Sequence, residues 1–202
     1  MASSRLFRAM ANEIRVLGRT YLNFSPRPAG DYTTRQMSAA AAYTMFSHAE
    51  FESYLEGWAL EIVDFAETQR HAGKVTRPLA HLCTFHKGRA ELTEIPPLDV
   101  WSEQFVLAIR QHRDIINKNH GIKEKNVCRL LAPIGFDLRR IDPVLIGDLD
   151  AFGTLRGNHA HQSHKMQRGI AFDPFDRKIK AESLVGALAN LDNELLNYRS
   201  SF

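Results

Sequence analysis

Apolar residues recur at every third or fourth position along nearly the whole chain, and no stretch alternates regularly enough to predict a strand. Leu6, Met10, Ile14, Leu17 and Tyr21 trace a first helix, and Ser25-Pro-Arg-Pro-Ala-Gly30 breaks the chain after it. A long second helix is predicted from near Asp31 to about His71, with Gly73 as its stop. Its apolar stripe is Phe51, Tyr54, Leu55, Trp58, Ile62 and Phe65. Pro78 at a first helical position opens a short element through Phe85, and Glu94-Ile-Pro-Pro-Leu98 reads as a loop. Asp99 then caps a fourth helix lined by Trp101, Phe105, Ala108, Ile109, His112 and Ile116, which Gly121 closes. A short helix over Lys123–Leu131 precedes Pro133. Asp142-Pro143 starts another, carrying Leu145, Leu149, Phe152 and Leu155 toward a histidine cluster. Beyond a loop near Phe172–Pro174, the leucines 184, 188, 191 and 195 mark the last helix. The pattern predicts an all-α, up-and-down helical bundle with extra short helices. It forms a single domain over residues 1–202, of which about 1–30 form an N-terminal helix and loop extension.

Composition narrows the class without naming a function. The 202 residues are 44% apolar and 24% charged, as in an ordinary globular domain, which excludes a disordered chain, a fibre or a disulfide scaffold. No apolar run reaches the ~18 residues of a membrane span, and no apolar segment follows the arginines of the first residues, so neither a membrane anchor nor a secretory signal is expected. Cys83 and Cys128 fit neither a disulfide framework nor a metal knuckle and read as buried thiols in a reducing cytoplasm. Glycine-rich phosphate loops and the His-Glu-x-x-His zinc motif are missing from the sequence, so no nucleotide cofactor and no metal is expected.

A net charge of only +3 hides an uneven distribution. Between Gln36 and Gln69 the charged residues are all acids: Glu50, Glu52, Glu56, Glu61, Asp64 and Glu67. From Phe105 to Arg129 the bases Arg110, Arg113, Lys118, Lys123, Lys125 and Arg129 outnumber Asp114 and Glu124. This basic stretch is either a set of solvated faces or a surface for phosphates, and the second reading gains if the Arg156 segment lies beside it.

Chemistry concentrates in Leu155-Arg-Gly-Asn-His-Ala-His-Gln-Ser-His164, one Arg and three His within a few residues. Arg is a permanent cation whose planar fork fits a phosphate, and His is the side chain suited to proton transfer near neutrality. Together they can cleave RNA without a metal. A His takes the proton of a ribose 2′-OH, the oxygen attacks the adjacent phosphate, and Arg stabilises the charge that builds there. The product is a 2′,3′-cyclic phosphate.

Arg156, four intervening residues and His161 match the signature of the HEPN-domain ribonucleases, and the Leu-Arg-Gly-x-x-Ala-His form is similar to their RiboL-PSP-type and related branches. Phe51-Glu52-x-Tyr54 also resembles the Phe/Leu-Glu-x-Tyr pattern of that family. The resemblance covers about residues 36–202. It implies a HEPN-like bundle, a homodimer with a composite active site, an RNA substrate, metal-independent cleavage, and a role as a toxin or antiviral abortive-infection effector with a possible inhibitor protein. It makes Arg156 and His161 catalytic. The sequence departs from many members in having Gly157 directly after the Arg, with Asn158 as the candidate to take the orienting role.

Some alternatives stay open at this level. Residues five apart on a regular helix are about 140° apart around its axis, so His159 is the better neighbour of Arg156 unless Gly157 disrupts the helix or the site is shared across a dimer axis. Glu52 either orients Arg156 or a catalytic His, or is a partly solvated helix charge. Glu50, Glu56, Asp64 and Glu67 read as solvated. His164, Lys165 and Arg168 are candidate substrate contacts, and His161 with His164 has a spacing that a metal could also use. His48, His71, His81, His86, His112 and His120 read as surface or core residues, and Trp58 and Trp101 as core. The rival reading of function is a non-catalytic HEPN-like module that binds RNA or a protein.

Overall fold

A computed structural model describes residues 3–28, 31–86, 98–161 and 172–201, apart from the side chains of 98–101 and 158–161. The described residues form seven α-helices, α1 (Arg5–Tyr21), α2 (Thr34–His71), α3 (Arg77–Phe85), α4 (Leu98–Asn117), α5 (Glu124–Leu131), α6 (Pro143–His161) and α7 (Pro174–Arg199). A single 3-10 turn, Leu138–Arg140, lies before α6. Strands are absent among the described residues, as the periodicity predicts. None of these helices is long and apolar enough to cross a membrane.

The architecture is organised around α2, whose 38 residues span about 57 Å. It begins at Thr34, three residues after the predicted start, because Thr33 and Gln36 form a reciprocal capping box that satisfies the free N–H groups there. All six other helices pack against it. Such a helix must be apolar on more than one side, and Tyr43, Phe51, Tyr54, Leu55, Trp58 and Ile62 are accordingly buried. The sequence shows the stripe but not this all-round burial. The predicted core positions of α6 and α7 (Leu145, Leu149, Phe152, Leu184, Leu188, Leu191 and Leu195) are buried as well. Cys83 and Cys128, expected to be buried, are only half-buried, and neither is in a disulfide.

Helix α1 is tied to the bundle by a buried carboxylate. Asp192 of α7 is 1% exposed. Its Oδ2 accepts from the Ser4 N–H at 2.8 Å, and its Oδ1 accepts from the Ser4 hydroxyl at 2.6 Å, Trp58 Nε1 at 3.0 Å and the Tyr54 hydroxyl at 3.2 Å. Ser4 in turn caps α1 by accepting from the Phe7 N–H. One residue therefore joins α1, α2 and α7.

The acidic face of α2 is not simply solvated. Arg113 of α4 donates to Asp64 and Glu67 at 2.6 Å each, and Arg199 of α7 donates to Glu61 at 2.7 Å. Glu56 accepts from Asn119. Asp64 is exposed, as the sequence predicts, but Glu67 and Glu56 are partly buried and not simply solvated, because packing α4 and the segment after it against α2 brings donors to carboxylates that the α2 sequence shows alone. As Arg113 is occupied in this way, the basic stretch that contains it is partly structural.

Two histidines are buried and held neutral. His48 of α2 is 3% exposed and His112 of α4 is fully buried. Burial is the first cause in both, and each pKa is pushed down to about 4, with Arg156 adding to the effect at His48 and His86 at His112. His86 and His112 face each other with ring nitrogens 3.4 Å apart, and His112 Nε2 lies 3.1 Å from the Leu130 carbonyl oxygen, to which it donates. In the unfolded chain both imidazoles take up protons near pH 6.5. Between about 6.5 and 4 the unfolded state thus binds more protons than the folded one, so stability is full above that window and falls as the pH drops through it. The urea midpoint should fall between pH 7 and pH 5, with a loss on the order of 3 kcal/mol from the pair. Equal midpoints at the two pH values would show that these imidazoles are charged in the fold.

Candidate functional site

Phe51 of α2 meets Phe152 of α6 edge to face, with ring centroids 5.4 Å apart. This contact fixes the two helices side by side. One turn back along α2 lies His48, and one turn on along α6 lies Arg156. These two residues line a common cleft of about 440 Å³. Its other wall is the segment between α4 and α5 and the start of α5, which contributes His120, Lys123 and Lys125.

That wall is held by buried side-chain amides. Asn119 Nδ2 donates to Glu56 Oε1 at 2.9 Å and to the Gly121 carbonyl at 3.0 Å, while Asn126 Nδ2 donates to Asn119 Oδ1 at 2.9 Å. Both asparagines are 6% exposed, so these bonds are made out of water and fix the local backbone firmly. Gly121 has φ +148, and an added Cβ would lie 3.3 Å from Asn126 Oδ1, so glycine suits this position on both counts. Asp150 of α6 accepts from the Glu124 N–H at 2.7 Å, which docks the start of α5 onto α6.

The floor of the cleft is α6 itself, through Gly153, Arg156 and Gly157. A Cβ at Gly153 would meet Lys123 Cγ at 3.2 Å and Cε at 3.6 Å, so the lysine stem lies along the bare helix there. A Cβ at Gly157 would meet nothing within 4 Å among the described residues.

The electrostatics are cationic at the rim and acidic behind it. Among the described residues no carboxylate forms an ion pair with Lys123, Lys125 or Arg156. The nearby acids serve other donors: Glu56 serves Asn119, Asp150 serves Glu124, and Glu52 Oε2 lies 3.7 Å from His48 Nδ1. Glu52 Oε1 is buried with no hydrogen-bond partner among the described residues. Burial first, and then the charge of Glu52, push the Glu56 pKa up, while Asn119 opposes the rise.

Of the residues expected from the sequence, Arg156 is in this cleft and Glu52 lies behind it. Glu52 faces His48, and forms no ion pair with Arg156 among the described residues. Helix α6 continues without a break through Gly157 to His161, so the glycine does not disrupt it. Positions 156 and 161 are therefore about 140° apart around the axis and ~7.5 Å apart along it. Asn158, His159 and His161 occupy the last turn of α6, and their side chains lie outside the described part of the structure. His164, Lys165 and Arg168 lie outside the described residues altogether.

Sequence reasoning passed over His48, His120, Asn119 and Asn126. The only signal for His48 was its position four residues before Glu52, where a helix places two side chains together. Nothing in the sequence shows that the α4–α5 segment folds back toward Arg156. No protein-family model, curated protein or solved structure matches the chain.

Proposed function

We propose that the protein is a metal-independent endoribonuclease of the HEPN type. The observation that carries this reading is the convergence of Arg156, Lys123 and Lys125, three cations without carboxylate partners among the described residues, on a cleft that also holds the neutral imidazole of His48. Uncompensated cations in a cleft favour a phosphate, and His48 beside them adds no charge of its own.

In this reading a ribose 2′-OH loses its proton to a His and attacks the neighbouring phosphorus. The bond to the 5′ oxygen breaks, that oxygen takes a proton, and a 2′,3′-cyclic phosphate remains. Arg156 stabilises the charge on the phosphoryl oxygens. His161 is the proton acceptor, and the register of α6 favours its acting across a dimer axis, where the Arg156 of one protomer meets the His161 of its partner. Glu52 holds His48 in place. The substrate is cytoplasmic RNA, and the family resemblance makes a toxin or antiviral role, restrained by an inhibitor protein, the context for such an activity.

The test is incubation of the purified protein with single-stranded RNA in EDTA. The expected result is cleavage to products with 2′,3′-cyclic phosphate ends. Absence of cleavage, or a strict need for added metal, would overturn the proposal. The unpaired cations alone also suit a non-catalytic RNA-binding module, and tight RNA binding without strand scission would select that reading.

A further inference from the structure

We infer that the α4–α5 segment is a clamp for backbone phosphates of single-stranded nucleic acid, with Lys123 and Lys125 holding the strand on one side of the cleft and Arg156 on the other. The inference rests on the ribonuclease reading for its substrate class and for Arg156, and adds Lys123 and Lys125, which that reading does not use for catalysis.

Three features support it. The wall carrying the lysines is built rather than loose, since the buried side chains of Asn119 and Asn126 spend their hydrogen bonds on fixing the backbone between α4 and α5. Every carboxylate near the cleft that has a partner is committed elsewhere, which leaves the lysine charges available to a ligand. Finally, the floor between the two walls is bare. Gly153 lets the Lys123 stem lie flat on α6, and among the described residues nothing stands beside Gly157 to keep a phosphate from the helix. His120 lines the same wall and adds a donor at the rim. A phosphate contact of this kind reads charge and geometry, with no contribution from the base or the 2′-OH.

A single-stranded DNA oligonucleotide is the probe, because it carries the same phosphates but lacks the 2′-OH needed for cleavage. Its binding is followed by fluorescence anisotropy across a salt series. The wild-type protein should bind the DNA and an RNA of the same sequence within a few-fold of each other. The Lys123→Ala/Lys125→Ala double variant should bind on the order of tenfold more weakly, and its log Kd against log salt should lose about 1.4 units of slope, or ~0.7 for each lost phosphate contact. Gly157→Leu, which meets no described side chain and replaces no core residue, should block the cleft and weaken binding as much. Unchanged affinity and slope in the double variant would overturn the clamp, as would unimpaired binding by Gly157→Leu. Failure of the ribonuclease reading shows up separately, as DNA and RNA binding through the lysines with no RNA cleavage. Failure of the clamp alone leaves RNA cleaved by a double variant with unaltered KM.

Discussion

Replacing Arg156 by Ala should lower RNA cleavage by roughly 10²–10³-fold while moving the thermal midpoint by no more than ~2 °C. The activity loss follows from the role of the guanidinium, which meets charge that develops on the phosphoryl oxygens only as the transition state forms. The small stability effect follows from the position. Arg156 is only partly buried, forms no ion pair among the described residues, and sits one turn beyond Phe152, a buried core residue of α6. A lysine at 156 should restore charge but not the planar fork, and so recover only part of the rate. His161→Ala should cost a similar factor in kcat with little change in KM, in contrast to the lysines of the clamp, whose loss falls on KM. Cleavage that persists in both Arg156→Ala and His161→Ala would place the chemistry elsewhere in the molecule.

Asp192→Ala should destabilise the fold by about 3–5 kcal/mol, seen as a fall of roughly 10 °C in the thermal midpoint. The carboxylate accepts four hydrogen bonds, two from the cap of α1 and two from α2, and all but the Ser4 pair lie fully inside the protein. Truncation leaves the Trp58 N–H and the Tyr54 hydroxyl buried without an acceptor, which costs more than the bonds themselves contribute. Asp192→Asn keeps the shape but turns one acceptor into a donor facing donors, so it should lose a substantial part of the same energy. Because Ser4 is one of the partners, α1 should loosen first, and limited trypsin digestion at Arg5 and Arg8 should accelerate in both variants. A midpoint within ~2 °C of wild type for Asp192→Ala would mean that water replaces the carboxylate at no cost.

Much of the fold was legible because helical periodicity is a local property. Leu184, Leu188, Leu191 and Leu195 mark α7 whatever they pack against, and Asp142-Pro143 marks the start of α6 for reasons internal to a few residues. Asp192 shows where that legibility ends. It lies beside the same leucine stripe, and only the approach of Ser4, Tyr54 and Trp58 from distant positions makes a buried carboxylate tolerable there. The carboxylates of α2 teach the same lesson in reverse. The ion pairs of Asp64 and Glu67 could not be read from the sequence because their partner, Arg113, lies more than forty positions away in the chain.

The candidate site was legible in part. Arg156 stood out as a residue type in a dense cluster, and Glu52 as the carboxylate of the Phe51-Glu52-x-Tyr54 pattern. His48 did not, since a single His on a helix carries no sign of its surroundings. Its neutrality comes from burial and from Arg156, more than a hundred positions further on.

The sequence by itself therefore determined the helices, their core faces and the presence of an Arg and His cluster at the end of α6, because each depends on spacing along one element. The tertiary structure alone decided which charges are neutralised, which imidazoles are kept out of water, and that Lys123 and Lys125 face Arg156 across a cleft. Those outcomes depend on distances between elements far apart in the chain, and electrostatic and desolvation energies are set by such distances and by the water excluded between them.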